Sequence, residues 1–158
     1  MIYEYPALFS NDGGKVAFHF YDIEGLHSFG DDLDEAVLAA EEILADYLLE
    51  WERERPNYLK PEPSPAVAVL ANAKRLEVFK MIRVDTDKYA AELAAMDERA
   101  AILNADNPIR ELLDRKHMKI KQLADLLEAP YRTVQDWSLG KSKPPQWTLN
   151  LILDKALT

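Results

Sequence analysis

The chain of 158 residues contains no cysteine. This excludes a disulfide scaffold and any thiolate metal centre, and it fits a reducing compartment. The three histidines, His19, His27 and His117, stand too far apart for a metal spacing such as HxxxH. GxSxG, Walker and GxGxxG patterns are missing, so no acyl-transfer elbow or phosphate cradle is spelled out and no cofactor is expected. No apolar run reaches the length of a bilayer span, and no basic-then-apolar leader opens the chain; the expectation is a cytoplasmic protein without membrane attachment. Glycine is scarce, with five in all, and each falls between periodic segments. The length suits one ordinary domain or two small ones.

An excess of basic charge is lacking too. The 19 Lys/Arg face 28 Asp/Glu, net −9, which for the whole chain argues against a nucleic-acid binder. The distribution reverses that impression. Residues 1–104 hold 10 basic and 21 acidic side chains, net −11, whereas residues 105–158 hold 9 and 7, net +2. Between Arg115 and Lys143 the count is 7 against 3. An acidic body thus carries a mildly basic head, and the body suits a basic partner.

Within the basic third, Leu123, Ala124 and Leu127 share one face of a helix expected from Lys119 to Glu128. Val134 and Trp137 share one face of a second, from about Pro130 to Leu139. Ala124 is small where the two would cross. Gly140 stops the second helix, and Lys141-Ser142-Lys143-Pro144-Pro145 cannot continue it. The spacing is that of a helix-turn-helix. In the terminal segment, Trp147, Leu149, Leu151, Ile152 and Leu153 exceed what a small core can absorb. The surplus, with Trp51, offers a surface for a homodimer or higher homo-oligomer.

Alternation in Met1–Phe9 and Lys15–Tyr21 around Asn11-Asp12-Gly13-Gly14 predicts a hairpin, and Leu26–Phe29 a short third strand between Gly25 and Gly30. Asp32 and Glu35 form a capping box for a long helix. Its apolar stripe is Leu33, Val37, Ala40, Leu44, Tyr47, Leu48 and Trp51, and it stops before Pro56. At about 1.5 Å per residue such a helix outruns strands of five to seven residues, so its Tyr47–Trp51 end is expected to overhang. Proline-rich Tyr58–Pro65 reads as a surface connection, Val78–Val84 as a fourth strand and Thr86 to about Arg99 as a second helix. The fold class is α+β: a βββαβ(α) domain over residues 1–100 and an all-α domain over residues 105–158.

Two resemblances follow from these residues. Gln122-Leu123-Ala124, Thr133-Val134-x-x-Trp137 and Gly140 make residues 107–157 similar to the Cro/C1-type repressor (XRE) family of helix-turn-helix domains. Glu128 stands where that family usually has the glycine of the turn. Tyr5-Pro6-Ala7-Leu8-Phe9, Gly13-Gly14, Phe18-x-x-x-Asp22-Ile23-x-Gly25 and Gly30-Asp31-x-Leu33-x-Glu35-Ala36 make residues 3–90 resemble the HicB-type antitoxins of type II toxin–antitoxin pairs. Ile23-Glu24 and His27 depart from that family's pattern. The resemblance implies a trimmed RNase H-like domain that binds and blocks a small basic ribonuclease toxin (HicA), joined to a domain that binds the operon's own promoter. It implies no enzymatic activity.

The outward positions of the second helix, Tyr131, Arg132, Gln135 and Asp136, are expected to contact bases: Arg132 fits guanine and Gln135 adenine. Lys119, Lys121, Thr133, Lys141 and Lys143 suit phosphates. For the toxin, the expected contact is an acidic edge of Asp22, Glu24 and Asp31 with aromatic anchors Tyr21 and Phe29. Two other readings stay open. One is an XRE-type regulator whose N-terminal domain binds a ligand or only dimerises. The other is an RNase H-like nuclease using Asp22, Glu24, Asp31 and Asp32 around metal ions, although Asp31 and Asp32 are already suited to capping.

Overall fold

A computed structural model describes residues 1–54 and 60–158. Pro56, Tyr58 and Leu59, where the end of the long helix and the proline-rich connection are expected to meet, lie outside the described residues. By their internal packing the described residues divide into two compact units, Met1–Ala91 and Glu92–Thr158.

The first unit is built on alternation. Strand β1 (Ile2–Asp12) pairs antiparallel with β2 (Lys15–Phe20) and with β4 (Val78–Asp85), and β2 pairs with β3 (His27–Gly30), giving the order β3-β2-β1-β4. The period of two sends Tyr3, Tyr5, Ala7 and Phe9 of β1 to the same face as Phe18, Phe20, Ile82 and Val84. Helix α1 (Leu33–Arg53) covers that face with Ala36, Ala40, Leu44 and Leu48. A fully buried leucine such as Leu44 or Leu48 contributes about 1.5–3 kcal/mol. Capping starts α1: Asp32 Oδ1 accepts from Glu35 N at 2.9 Å, and the Glu35 carboxylate accepts from Asp31 N at 3.0 Å, one residue earlier than a standard capping box. Alanines at the entry of the helix let it approach β3 so closely that a Cβ on Gly30 would lie 2.3 Å from Ala36 N.

Three expectations change. The far end of α1 does not overhang, because it lies over the start of β1 and the junction of β4 with the following helix. That end is tied down as well: Glu52 accepts hydrogen bonds from the Tyr3 hydroxyl at 2.7 Å and the Thr86 hydroxyl at 2.9 Å. The buried stripe of α1 is rotated toward Ala36 and Ala45, leaving Leu33 at 37% exposure. An unanticipated helix, α2 (Ala66–Asn72), precedes β4, and Asn72 Nδ2 donates to the Tyr21 hydroxyl at 3.0 Å on the sheet face opposite α1.

Helix α3 (Thr86–Leu103) begins in the first unit and ends in the second. Then come α4 (Pro108–Arg115), α5 (Ile120–Leu127), α6 (Tyr131–Ser138) and α7 (Gln146–Ala156). Ile102, Ile109, Leu112, Leu123, Val134, Ile152 and Leu153 form their common core. Of the surplus apolar residues in α7, Trp147 is 67% and Leu151 54% exposed. Among the described residues no helix is long and apolar enough to cross a membrane.

Candidate functional site

In the second unit the geometry of α6 is set by its two ends. At its start, Thr133 N donates to Pro130 O at 3.0 Å. At its end, Gly140, with φ +73°, allows Lys141 N to reach back to Asp136 O at 2.9 Å and Gly140 N to Trp137 O at 3.1 Å, a Schellman closure. The same closure ends α5 and α4 without glycine. Glu128 adopts φ +52°, with Ala129 N bonded to Ala124 O at 3.0 Å, and His117 adopts φ +50°, with Met118 N bonded to Leu113 O at 2.9 Å. The glutamate in the expected glycine position is therefore itself the left-handed residue of the turn between α5 and α6. A left-handed conformation costs a residue with a side chain about 1–2 kcal/mol.

With Val134 and Ser138 buried, the helical period turns Arg132 and Asp136 directly away from the core and leaves Gln135 and Thr133 on the flanks. Arg132 is exposed, and Tyr131 is 50% exposed at the entry of the helix. Tyr131 lines a concavity of about 400 Å³ together with Lys119, Lys121, Arg110 and Asp114, so these residues of α4, the start of α5 and α6 share one surface. Lys141 and Lys143 are exposed in the loop that follows α6.

Charge pairing separates the cations of this unit into two sets. Arg99 pairs with Asp154 at 2.7 Å, Arg110 with Asp114 at 3.4 Å, Arg115 with Glu111 at 2.6 Å and Lys116 with Glu98 at 3.0 Å. Among the described residues, none of Lys119, Lys121, Arg132, Lys141 and Lys143 forms a salt bridge. Five of the six cations without a salt bridge therefore lie on the first turn of α5, the outer face of α6 and the loop after it; the sixth, Lys155, stands in the last turn of α7.

One residue missed by the sequence reasoning holds α6 in place. Asn107 caps α4 by accepting from Arg110 N at 3.1 Å, and its Nδ2 donates to Trp137 O and Ser138 O, both at 3.1 Å. A single side chain thus starts one helix and bonds two carbonyls at the end of another. Asn107-Pro108 is a readable helix start, with the capping amide followed by proline at the first turn. Its second role depends on tertiary placement.

The five residues expected to meet a toxin do not form one edge. Tyr21, Asp22 and Glu24 lie at the β2–β3 turn, whereas Phe29 and Asp31 lie at the far end of β3, because β3 runs antiparallel away from the turn. Phe29 is opposite Ala17, five residues along from Asp22, a separation of roughly 16 Å. Asp22 is half-buried and accepts from Ser64 N at 2.8 Å and from the Ser64 hydroxyl. Asp31 pairs with Lys15 at 3.1 Å, and Lys15 Nζ also stands 4.7 Å from the centre of the exposed Phe29 ring. Glu24 is exposed. With Asp32 capping α1, three of the four acids that could be imagined around a nuclease metal have other partners, and among the described residues no three His, Asp or Glu side chains converge.

No family model matches the sequence, and no curated protein matches it. Solved structures do. A toxin–antitoxin complex from Streptococcus pneumoniae is similar at 23% identity over 56% of this chain and 73% of that one, with a TM-score of 0.48. The N-terminal domain of the Burkholderia pseudomallei antitoxin HicB is similar at 22% identity over 52% of this chain and 99% of that one, with a TM-score of 0.46. A HicA3 and HicB3 toxin–antitoxin complex is similar at 21% identity over 54% and 99%, with a TM-score of 0.43. At these values no site residue and no partner is carried over to this chain.

Proposed function

We propose that the chain is a HicB-like antitoxin and autorepressor. Residues 92–158 bind the promoter of their own operon through an XRE-type helix-turn-helix made by α5 and α6. Residues 1–91 bind and neutralise a small basic HicA-like ribonuclease toxin. The active form is a homodimer or higher homo-oligomer in the cytoplasm, because one small head offers little surface and specific affinity calls for two half-sites about one helical turn apart. The chain catalyses no reaction in this reading.

The carrying observation is the set of unpaired cations around the outward face of α6, beside a set of cations that are all paired. A merely structural helical unit has no need to gather five of its six unpaired cations at the start of α5, on α6 and in the loop after it. For the N-terminal role, the support is the order and spacing of the motifs from Tyr5 to Ala36 and the acidity of that unit.

Two experiments test the reading. Gel shifts on the upstream DNA should show that Arg132→Ala loses about 1–3 kcal/mol of specific affinity and relaxes sequence preference, while Lys143→Ala weakens all sites alike and flattens the salt dependence. Unchanged promoter binding by Arg132→Ala would overturn the role of α6. The chain should also co-purify with, and suppress the toxicity of, a small basic protein encoded beside it. If it binds the promoter but not that neighbour, the regulator with a ligand-binding or dimerising N-terminal unit is the better reading.

A further inference from the structure

Two histidines on the sheet face opposite α1 are brought together by strand register alone. His19 of β2 stands directly opposite His27 of β3, and both are exposed. Phe20 N donates to Leu26 O at 3.0 Å, which makes Phe20 and Leu26 a hydrogen-bonded pair. The neighbouring pair, His19 and His27, is then of the non-hydrogen-bonded kind, in which Cα atoms approach to about 4.5 Å and side chains lie closest. Directly opposed residues share a face of the sheet, so the two imidazoles rise from it side by side. Ala17, the next outward residue of β2, is small, and a concavity of about 500 Å³ opens there, lined by His19, His27, Asp12, Ser10 and Phe29. Among the described residues neither imidazole has a hydrogen-bond or ion-pair partner.

We propose that His19 and His27 form a binding site for one divalent transition-metal ion of the zinc, nickel and copper group. Neutral imidazole is a preferred ligand of these metals, at about 2.0–2.1 Å for zinc, and two nitrogens from one cross-strand pair can converge on a single ion while water fills the remaining positions. The field of the unit favours a cation as well: residues 1–91 carry 18 acidic against 9 basic side chains. The site is independent of the DNA and toxin reading.

The test is calorimetric titration of the full chain with zinc or nickel chloride, beside His19→Ala, His27→Ala and His117→Ala. His117 serves as the internal control because it lies in the second unit, in the turn after α4. The unaltered chain should bind one ion saturably. Either His19→Ala or His27→Ala should weaken binding at least tenfold, and His117→Ala should leave it within twofold. The proposal is overturned if the chain shows no saturable binding, if His19→Ala and His27→Ala bind as the unaltered chain does, or if only His117→Ala loses the ion. Imidazole NMR signals of the unaltered chain give the same answer without substitution: those of His19 and His27 should shift with zinc and that of His117 should not.

Discussion

At its tightest point the first unit, Met1–Ala91, has a glycine that no side chain can replace, since any Cβ on Gly30 meets the backbone of Ala36. In the second unit, Glu92–Thr158, His117 and Glu128 adopt the left-handed conformation where glycine is favoured, as Leu76 does in the first. The constraint on Gly30 is contact, imposed by α1 lying against β3. The constraint on Glu128 is conformational strain, imposed by the turn and relieved by any residue that tolerates positive φ. Exchanges between glycine and residues with side chains should therefore act in opposite directions at Gly30 and at Glu128.

The largest expected effect is that of Gly30→Ala. Backbone cannot swing aside as a side chain can, so α1 must lift from β3 at a cost of about 3 kcal/mol, the upper end of ordinary overpacking. Denaturant unfolding followed by the aromatic residues of the first unit would show it. If promoter binding falls in parallel, the units share one cooperative transition and the contrast between them is lost.

Asn107→Ala comes next. It removes a helix cap, worth about 1 kcal/mol, and two further hydrogen bonds at about 1 kcal/mol each if both are fully formed. The second unit should lose about 2–3 kcal/mol, and promoter affinity should fall although Asn107 is not among the residues proposed to contact bases. Retention of affinity at unchanged α6 content by circular dichroism would mean that the end of α6 is held by its glycine closure alone.

Glu128→Gly should go the other way and stabilise the second unit by about 1 kcal/mol, raising its unfolding midpoint without altering the charge on Lys119, Lys121 or Arg132. A destabilised Glu128→Gly would show that the carboxylate has a role of its own in the turn.

The smallest effect is confined to alkaline solution. Burial, and then the nearby Glu62 carboxylate, push the Tyr5 phenol up to about 12, and its hydroxyl donates to Pro61 O. The folded value lies above the unfolded value of about 10, so the contribution is complete below about pH 10 and is lost as pH rises through about 12. Tyr5→Phe should remove that alkaline loss while leaving the second unit's transition unchanged.

Patterning along the chain was enough to reveal most elements, because the period of two in Tyr3–Phe9 and the helical period in Leu123–Val134 survive folding unchanged. Helix α2 escaped notice for a physical reason: Ala66-Val67-Ala68-Val69-Leu70-Ala71 has no polar face to betray a helical period, and Pro65 offers no capping side chain. The residues expected to face a toxin were grouped by charge and aromaticity, properties carried by each residue alone, whereas hairpin geometry decides which of them stand together. His19 and His27 illustrate the same limit from the other side. Eight positions separate them in the chain, and only strand register makes them neighbours.

The turn between α5 and α6 consists of Glu128, Ala129 and Pro130, and both of its ends are hydrogen-bonded back into helices. Its length is thereby more constrained than its composition. One inserted residue, with Val134 and Ser138 still required in the core, would demand a compensating rotation of α6 by about 100° and carry Tyr131 off the surface it shares with Lys119 and Lys121. Variation among relatives of this chain should accordingly alter which residues occupy these three positions far more readily than it alters their number.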